Sequence, residues 1–406
     1  MKLFFTFFLF TNILFGQTWV QLAGFPGTER DDGVAVRINN KAYFGTGLLA
    51  GFTLGNDFYA YDLATNTWST IASMPTGSER QYACAFTSSN SFYILSGSGY
   101  SNAVFTDLQR YDVATNTWTV LTGKPGNGLI GASCLEYGDK IIIVGGKLQS
   151  GVVSDEVWEY TISTDTWLQK NNFPFGGRWR ASTTVLNNIG YLLFGKDNNQ
   201  SVRKEMYTYN NLTDTWVKLM DFPLPKGRSY AALNTANSRL VLFGGYDTLN
   251  YYYNDVWYYN DLSGLWQLGP NLPSFGRKGG MSFTNTDKFY YSCGINVSNT
   301  RLNETWVIDI PVGIKENSLG NNFLIYPNPA KDILNLKSEI EDVAAVMVQV
   351  YNTIGQLIKQ EEIIFKDKTS SIKTEGLPNG VYLLKVFDTN KSVNPISVSK
   401  RIVIAR

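Results

Sequence analysis

Tryptophan returns along this chain at an almost constant interval. The series is Trp19, Trp68, Trp118, Trp167, Trp216 and Trp266, so that neighbours are 49 or 50 residues apart. An interval of that size is typical of propellers and solenoids, in which one unit is repeated and each copy buries its apolar face against the next. The series therefore predicts the architecture of most of the chain and leaves its chemistry open.

Other residues keep the same register as the tryptophans. Tyrosine stands seven positions earlier, at Tyr61, Tyr111, Tyr160, Tyr209 and Tyr259, and an acid stands eleven positions earlier, at Asp57, Asp107, Glu156, Glu205 and Asp255. Each tryptophan follows a turn such as Ala-Thr-Asn-Thr at 64–67, and a strand further upstream ends in small residues, as at Val144-Gly145-Gly146. Each unit therefore reads as four short antiparallel strands.

The glycine pair, the tyrosine and the tryptophan together resemble the kelch repeat over residues 17–310. The glycine pair departs from the pattern at Gly195-Lys196 and at Cys293-Gly294. The resemblance implies an all-β propeller, and the exported N-acetylneuraminate epimerase is among the six-bladed proteins of this kind.

The two ends of the repeat region complement one another. The sixth unit stops at Glu304-Thr305-Trp306-Val307-Ile308-Asp309, which matches a third strand, while Thr18–Leu22 is a spare tryptophan strand at the other end. Pairing them would complete six blades and remove the open edges. We therefore predict a six-bladed propeller closed by its N-terminal strand. We also expect the third-strand tryptophans Trp158, Trp257 and Trp306 to pack between blades.

The ends of the chain carry export signals. Residues 1–16 read as a signal peptide with Lys2 before an apolar stretch that is too short to span a bilayer, and no later segment predicts a transmembrane helix. Residues 311–322 read as a linker, and 323–406 as a small immunoglobulin-like β-sandwich.

The motifs of the tail resemble the type A C-terminal sorting domain of the type IX secretion system. The residues that carry the resemblance are Tyr326, Pro327, Asn328, Pro329, Gly355, Gly380, Tyr382 and Lys400. The resemblance implies a Bacteroidetes-type cell, the type IX machinery as a partner, and passage across the outer membrane to an extracellular or surface-attached location. An ordinary immunoglobulin-like adhesion module is the alternative.

Composition excludes several chemistries. The chain has no histidine, which rules out Ser-His-Asp and Cys-His nucleophile systems and histidine-ligated zinc, copper or iron. Galactose oxidase, another kelch-type propeller, holds its copper with histidines, so its activity cannot be carried over. Lys+Arg 35 against Asp+Glu 34 indicates no nucleic-acid partner. We expect no cofactor, although calcium bound through oxygen atoms stays open.

The cysteines predict little chemistry. Cys84 and Cys134 occupy equivalent positions in neighbouring units, and we expect them to be too far apart for a disulfide, which needs Cα atoms within about 7 Å. Buried small side chains are the expectation.

A set of arginines precedes the innermost strand of five units. Its members are Arg30, Arg80, Arg178, Arg228 and Arg277, with Ile130-Gly131 in the third unit. They should lie on the same face as the acid column, nearer the central channel. Five guanidinium groups at a channel mouth would clamp a carboxylate-bearing ligand. Alternatively, each pairs with a neighbouring acid and braces the blade.

Departures from the repeat are the better functional candidates. Trp179 and Arg180 add an aromatic ring and a cation after Arg178, and Glu29, Asp31, Asp32 and Glu79 add carboxylates beside two arginines. The fifth unit has a tyrosine-rich loop with Tyr251, Tyr252 and Tyr253, a residue type suited to contacts with sugars and proteins. Surface ornament without a ligand is the alternative.

Three functions fit these observations. The leading one is non-catalytic recognition of a glycan or protein by a secreted or surface-displayed propeller. The alternative is a metal-independent sugar-acid mutarotase resembling N-acetylneuraminate epimerase, with Glu29 or Glu79 as acid or base. The third is a structural surface coat.

Overall fold

The computed structural model describes residues 18–311, 323–338, 345–352, 356–365, 368–388 and 397–405, without the side chains of 387–388 and 397–399. The predicted signal peptide, residues 312–322 of the predicted linker and Gly355 lie outside the described residues. Regular structure in the described part is β-strand, apart from a single 3₁₀ turn at Tyr100–Asn102.

Six sheets of four strands form a ring of blades. The innermost strands are Val34–Ile38, Cys84–Ser88, Ser133–Tyr137, Ser182–Leu186, Ala232–Ala236 and Met281–Thr284. The second strands are Lys41–Gly45, Ser91–Leu95, Lys140–Val144, Ile189–Leu193, Arg239–Phe243 and Lys288–Ser292. The third strands are Phe58–Asp62, Leu108–Asp112, Val157–Thr161, Glu205–Asn210, Val256–Asn260 and Thr305–Asp309. The outer strands are Thr67–Ile71, Thr117–Leu121, Thr166–Gln169, Thr215–Asp221, Leu265–Leu268 and Val20–Leu22.

The predicted closure is confirmed. Val20–Leu22 pairs antiparallel with Thr305–Asp309, with Gln21 opposite Trp306, and becomes the outer strand of the sixth blade. The innermost strand of that blade packs back on the innermost strand of the first.

The repeated turn residues fasten blades one, two and three to the blade before them. Asn116 has a φ of 55° and accepts hydrogen bonds from the Tyr111 hydroxyl at 2.6 Å and from the Ala72 N–H at 2.8 Å. The indole N–H of Trp118 donates to the Ala72 carbonyl at 2.9 Å. Asn66 with Trp68, and Asp165 with Trp167, repeat this arrangement. The tyrosine, turn and tryptophan columns therefore form one clamp between blades.

The expectation for the cysteines was wrong. Cys84 and Cys134 form a disulfide, with Cα atoms 6.4 Å apart. Innermost strands of neighbouring blades lie nearest the axis, where their separation is smallest, so equivalent positions come within bridging distance. Cys293 is a free cysteine, and its burial raises the pKa of the thiol to about 12.

The tail forms two sheets. One contains Phe323–Tyr326, Ile333–Ser338 and Thr369–Lys373, and the other contains Leu357–Ile364, Ala345–Tyr351, Gly380–Asp388 and Ser397–Ile404. Alternating residues of both sheets, such as Leu336, Val348 and Leu384, bury a common apolar core, as expected for a sandwich.

Candidate functional site

One face of the propeller, called the arginine face, carries the turns that lead into the innermost strands and the loops between second and third strands. These two sets of segments pair with one another, as Arg30–Asp31 does with Leu48–Leu49 and Gln81 does with Ser98. The arginines and the acid column therefore lie on the same face, as predicted.

Four of the arginines are fully buried and paired with acids. Arg30, Arg80 and Arg228 each make two hydrogen bonds of 2.6–2.9 Å to Asp57, Asp107 and Asp255. Arg277 makes one to Glu304 at 2.6 Å. Burial alone would raise the pKa of Glu304, but the hydrogen bond from Arg277 brings it below its usual value. This is the geometry of the bracing alternative, because no guanidinium nitrogen of these four reaches solvent.

In the third and fourth blades, the acid of the column is paired with a cation from outside the arginine column. In the third blade, buried Lys124 lies 3.5 Å from Glu156, where the arginine column has no member. In the fourth, Glu205 pairs with Arg203 at 2.8 Å, and buried Arg178 donates instead to the carbonyls of Gly176 and Gly177. Each acid of the column thus has a cation beside it, whatever its source.

A second set of equivalent residues follows two positions after the arginine column and is called the mouth ring. Its members, one from each blade, are Asp32, Tyr82, Gly131, Arg180, Tyr230 and Gly279. Backbone hydrogen bonds link neighbouring members around the channel, for instance from the Tyr82 N–H to the Asp32 carbonyl at 3.0 Å and from the Arg180 N–H to the Gly131 carbonyl at 2.7 Å. All six have φ between 55° and 65°.

That backbone conformation suits glycine and costs other residues on the order of 1 kcal/mol or more each. The two glycines also make room for their neighbours. A Cβ on Gly131 would lie 2.8 Å from Cγ of Arg180, and one on Gly279 would lie 2.7 Å from a carboxylate oxygen of Asp32. Strained residues of this kind cluster at functional sites.

Three side chains of the mouth ring meet across the channel. The rings of Tyr82 and Tyr230 come from opposite blades and lie 6.3 Å apart. The guanidinium carbon of Arg180 lies 3.9 Å from the first ring, 3.7 Å from the second and 4.0 Å from the ring of Trp179. Beneath them a cavity of about 500 Å³ runs between the innermost strands, and Asp32 also lines it.

Four half-buried cations lie at the channel mouth, on the turns that carry or adjoin the mouth ring. They are called the cationic cluster: Lys147, Arg180, Lys196 and Lys278. Among the described residues, none of the four has a carboxylate oxygen within 4.0 Å. Burial, followed by the charges of Arg180 and Lys196, lowers the pKa of Lys147. These groups repel one another, and a bound anion would relieve that repulsion.

Unpaired hydrogen-bond donors lie on the same turns. Within the part of the chain that the structure describes, the indole N–H of Trp179 is buried without a hydrogen-bond partner, as are the Nε of Arg180 and the hydroxyl of Ser229. The ring of Trp179 also lies 4.2 Å from the Lys147 ammonium. Since a buried donor without a partner is costly, donors at this position favour an incoming acceptor such as a carboxylate.

The first blade supplies the acid side of the mouth. Asp31 pairs with Arg301 at 2.5 Å, and Asp32 lies beside it with 9% of its surface exposed. Burial and then the charge of Asp31 raise the pKa of Asp32 well above the usual carboxyl value, against the opposing effects of Arg180 and Lys278. Asp32 therefore holds its proton more readily than a surface carboxyl group.

Comparisons with known proteins agree with this architecture. Residues 131–313 match the family model of the KLHDC2/KLHL20/DRC7 Kelch-repeats domain, and residues 31–155 match that of N-acetylneuraminate epimerase. Residues 324–405 match the secretion system C-terminal sorting domain. The chain is a kelch propeller with a type IX sorting domain.

A solved structure entitled "Structure of YjhT" resembles this kelch propeller with a TM-score of 0.62 and 18% identity, over 70% of this chain and 95% of the other. At that identity the likeness extends to the fold alone. No curated protein matches the chain significantly. Within the described residues, no helix is long and apolar enough to cross a membrane, and no three acidic or cysteine side chains are grouped closely enough to share a metal ion.

The sorting motif has a structural role within the tail. Asn328 donates to the Arg401 carbonyl at 2.9 Å and accepts from the Val403 N–H at 2.8 Å, which fastens the Tyr326-Pro327-Asn328-Pro329 segment to the last strand. The hydroxyl of Tyr382 donates to the Pro378 carbonyl at 2.9 Å. Gly380 lies between these two residues and begins the strand Gly380–Asp388. Lys400 lies on the last strand.

The remaining predicted residues of the kelch propeller separate into different environments. Glu79 accepts from the Gly77 N–H of its own turn at 3.0 Å, and neither it nor Glu29 lines the central cavity. Tyr253 lies against Arg228, with the guanidinium carbon 3.8 Å from its ring, and Tyr251 is 59% exposed. Tyr252 contacts the ring of Tyr246 at 5.6 Å, on the side of the mouth.

Residues that the sequence reasoning did not select are Lys147, Lys196, Lys278, Tyr82 and Tyr230. A signal for them existed in the repeat alignment. The position two residues after the arginine column, as at Tyr82 and Tyr230, and the position directly after the glycine pair, as at Lys147, change identity from blade to blade, while the positions around them recur.

Proposed function

We propose that the kelch propeller is an exported recognition protein that binds a carboxylate-bearing sugar at the mouth of its central channel. The observation that carries this proposal is the cationic cluster, whose charges have no carboxylate partners among the described residues. The half-buried rings of Tyr82 and Tyr230 beside these charges suit a sugar, because an aromatic ring packs on the apolar face of a pyranose. The type IX sorting domain supports action outside the outer membrane, in released or surface-held form.

The ligand binds directly to the side chains. The charges that act on Lys147 are those of Arg180 and Lys196, which would repel a metal ion. A chelator should therefore leave binding unchanged.

The test is a thermal-shift and calorimetric titration of the mature chain with N-acetylneuraminate and galacturonate, with galactose and N-acetylglucosamine as neutral sugars. The acidic sugars should raise the melting temperature in a saturable manner, and added salt should weaken binding. The variant Lys147→Gln should bind at least about tenfold more weakly, since a charge-assisted hydrogen bond contributes about 1.5–3 kcal/mol.

The matched control is Lys41→Gln, which removes an exposed lysine at the start of the second strand of blade one. It should bind as the parent does. Equal binding of neutral sugars, or an unaffected Lys147→Gln variant, would contradict the proposal.

A second candidate is interconversion of sugar-acid anomers, supported by the epimerase family match over residues 31–155. Asp32 would serve as the acid because its raised pKa keeps a proton available, and Arg180 would hold the carboxylate. NMR of freshly dissolved N-acetylneuraminate measures this directly. Saturable binding with no acceleration of anomer exchange would exclude catalysis and leave recognition.

A further inference from the structure

Four tyrosines form a continuous series from the channel mouth to the outer loop of the fifth blade, here called the tyrosine track. They are Tyr82, Tyr230, Tyr246 and Tyr252. Successive ring centroids are 6.3, 5.6 and 5.6 Å apart. These steps are comparable with the length of one sugar unit in a glycan chain.

Cations accompany the track over its whole length. The Lys278 ammonium lies 5.1, 4.3 and 5.4 Å from the rings of Tyr230, Tyr246 and Tyr252. Lys196 donates to the hydroxyl of Tyr246 at 2.6 Å. Tyr246 is largely covered, while Tyr230 and Tyr252 are half-buried. The rings of Tyr230 and Tyr252 are therefore accessible to a ligand, and the ammonium group of Lys278 lies between them.

The track is not suited to pairing with a peptide backbone. Strand addition requires free N–H and carbonyl groups. Here Ser229 and Tyr246 exchange both of their backbone hydrogen bonds, at 3.0 and 3.1 Å, and the N–H of Tyr253 donates to Gly245 at 2.9 Å. The groups presented are tyrosine rings and ammonium ions, which suit the faces and carboxylates of acidic sugars.

The track is also held in place before any ligand arrives. Asp247 accepts from the N–H groups of Leu249 and Tyr251 at 2.8 and 3.0 Å, and Tyr253 lies against Arg228. These contacts hold the loop that carries Tyr252, so a ligand would not have to lose binding free energy in ordering it.

We propose that the ligand is an acidic oligosaccharide and not a single sugar, with one acidic unit at the mouth ring and the following units along the tyrosine track over blade five. This inference rests on the proposed function and adds the length and direction of its ligand. A second and third unit gain contacts with Lys278 and Tyr252 that a monosaccharide at the mouth does not make.

The experiment compares monomer with trimer on the mature full-length protein by calorimetry. The probes are N-acetylneuraminate with its α-2,8-linked trimer, galacturonate with its α-1,4-linked trimer, neutral chitotriose, and hexaglutamate as an acidic peptide. At least one acidic trimer should bind about tenfold or more tightly than its monomer. Chitotriose and hexaglutamate should bind weakly.

Substitutions on the tyrosine track test whether it causes the tighter binding of the trimer. Tyr252→Ala should remove most of the trimer's advantage and leave monomer affinity within about twofold, while Tyr252→Phe should retain the advantage because the ring remains. Leu249→Ala is the matched control, since it removes an apolar side chain of the same loop that is 71% exposed and off the track. Lys147→Gln should weaken monomer and trimer alike.

The outcomes separate the two proposals. If monomers bind but no trimer binds more tightly, or if Tyr252→Ala leaves the trimer's advantage intact, the oligosaccharide inference is overturned and the mouth site stands. If hexaglutamate matches the best trimer, the track binds peptide and the inference is also overturned. If neither monomers nor trimers bind, both proposals fail.

Discussion

The arginine column and the mouth ring lie two residues apart on the same turns, yet they have opposite characters. Arg30, Arg80, Arg228 and Arg277 repeat, are fully buried and are neutralised by acids. The mouth ring changes from Asp to Tyr to Gly to Arg, holds strained backbone, and presents Arg180 without a carboxylate partner in the described part of the chain. In a closed repeat, a side chain that recurs serves the blade, while one that differs among blades is available for a ligand.

The largest expected effect comes from breaking the column. Arg228→Ala leaves Asp255 without its guanidinium, and loss of one partner of a buried pair costs about 3–5 kcal/mol. The melting temperature should fall by several degrees. Lys218→Ala is the control, because its ion pair with Asp221 is exposed on both sides and contributes at most about 1 kcal/mol. Equal losses in the two variants would contradict the bracing role.

The third blade sharpens the comparison, because it lacks the arginine and has Gly131 in the mouth ring. There the Cys84–Cys134 disulfide joins it to the second blade. Closing a loop of this length, with a sequence separation of 50, stabilises by up to about 4 kcal/mol in the chain-entropy account. Cys84→Ala with Cys134→Ala should therefore melt lower than the parent under oxidising conditions, and the two proteins should converge in reductant. A parent protein indifferent to reductant would show that the bridge contributes little.

Substitution in the mouth ring should affect ligand binding more than stability, whereas substitution in the arginine column should affect stability. Arg180→Gln should weaken binding of an acidic sugar by about ten- to a hundredfold, through loss of a charge-assisted hydrogen bond. Its melting temperature should change little, because Arg180 stabilises no acid of the column. Calorimetry and a thermal melt on the same sample separate the two effects. Intact binding in a folded Arg180→Gln protein would move the ligand site away from the mouth.

The smallest effect concerns Asp32 and pH. The folded protein raises the pKa of Asp32, chiefly by burial, so its stabilising contribution is present below the unfolded pKa and is lost as pH rises through the folded one. Asp32→Asn should therefore melt slightly higher than the parent at neutral pH, with the gain shrinking towards about pH 4. Asp31→Asn, which breaks the pair with Arg301, should melt lower. A gain for Asp32→Asn that grows in acid would contradict the assigned direction.

The architecture could be predicted from the sequence because the same residue pattern recurs in successive units, and each copy supports the same assignment of strands and turns. The Asn66–Trp68 turn and the unpaired end strands predicted the blades and their closure, and both are confirmed. The sorting domain was likewise readable, because its motifs follow one another in a characteristic order within the residues that the family model matches, 324–405.

The site was less accessible for a physical reason. Which acids are neutralised, and by which cation, depends on the side chains that the folded loops bring together, as Lys124 shows by reaching Glu156 where no arginine stands. The disulfide was missed because spacing along the chain does not give the separation of strands near the axis. Tyr82 and Tyr230 are 148 residues apart in sequence (230 − 82) but meet across the channel, which only the closed ring reveals.

The closure by Val20–Leu22 has a consequence for how the molecule would come apart. Every other blade is continuous in the chain, whereas the sixth is held shut by a strand pair of three residues, Val20 with Val307 to Leu22 with Thr305. This is the clasp of the ring, and under pulling force or partial denaturation the circle should open there first. New termini placed in a turn of another blade, with the old ends joined, would move the clasp without changing the channel.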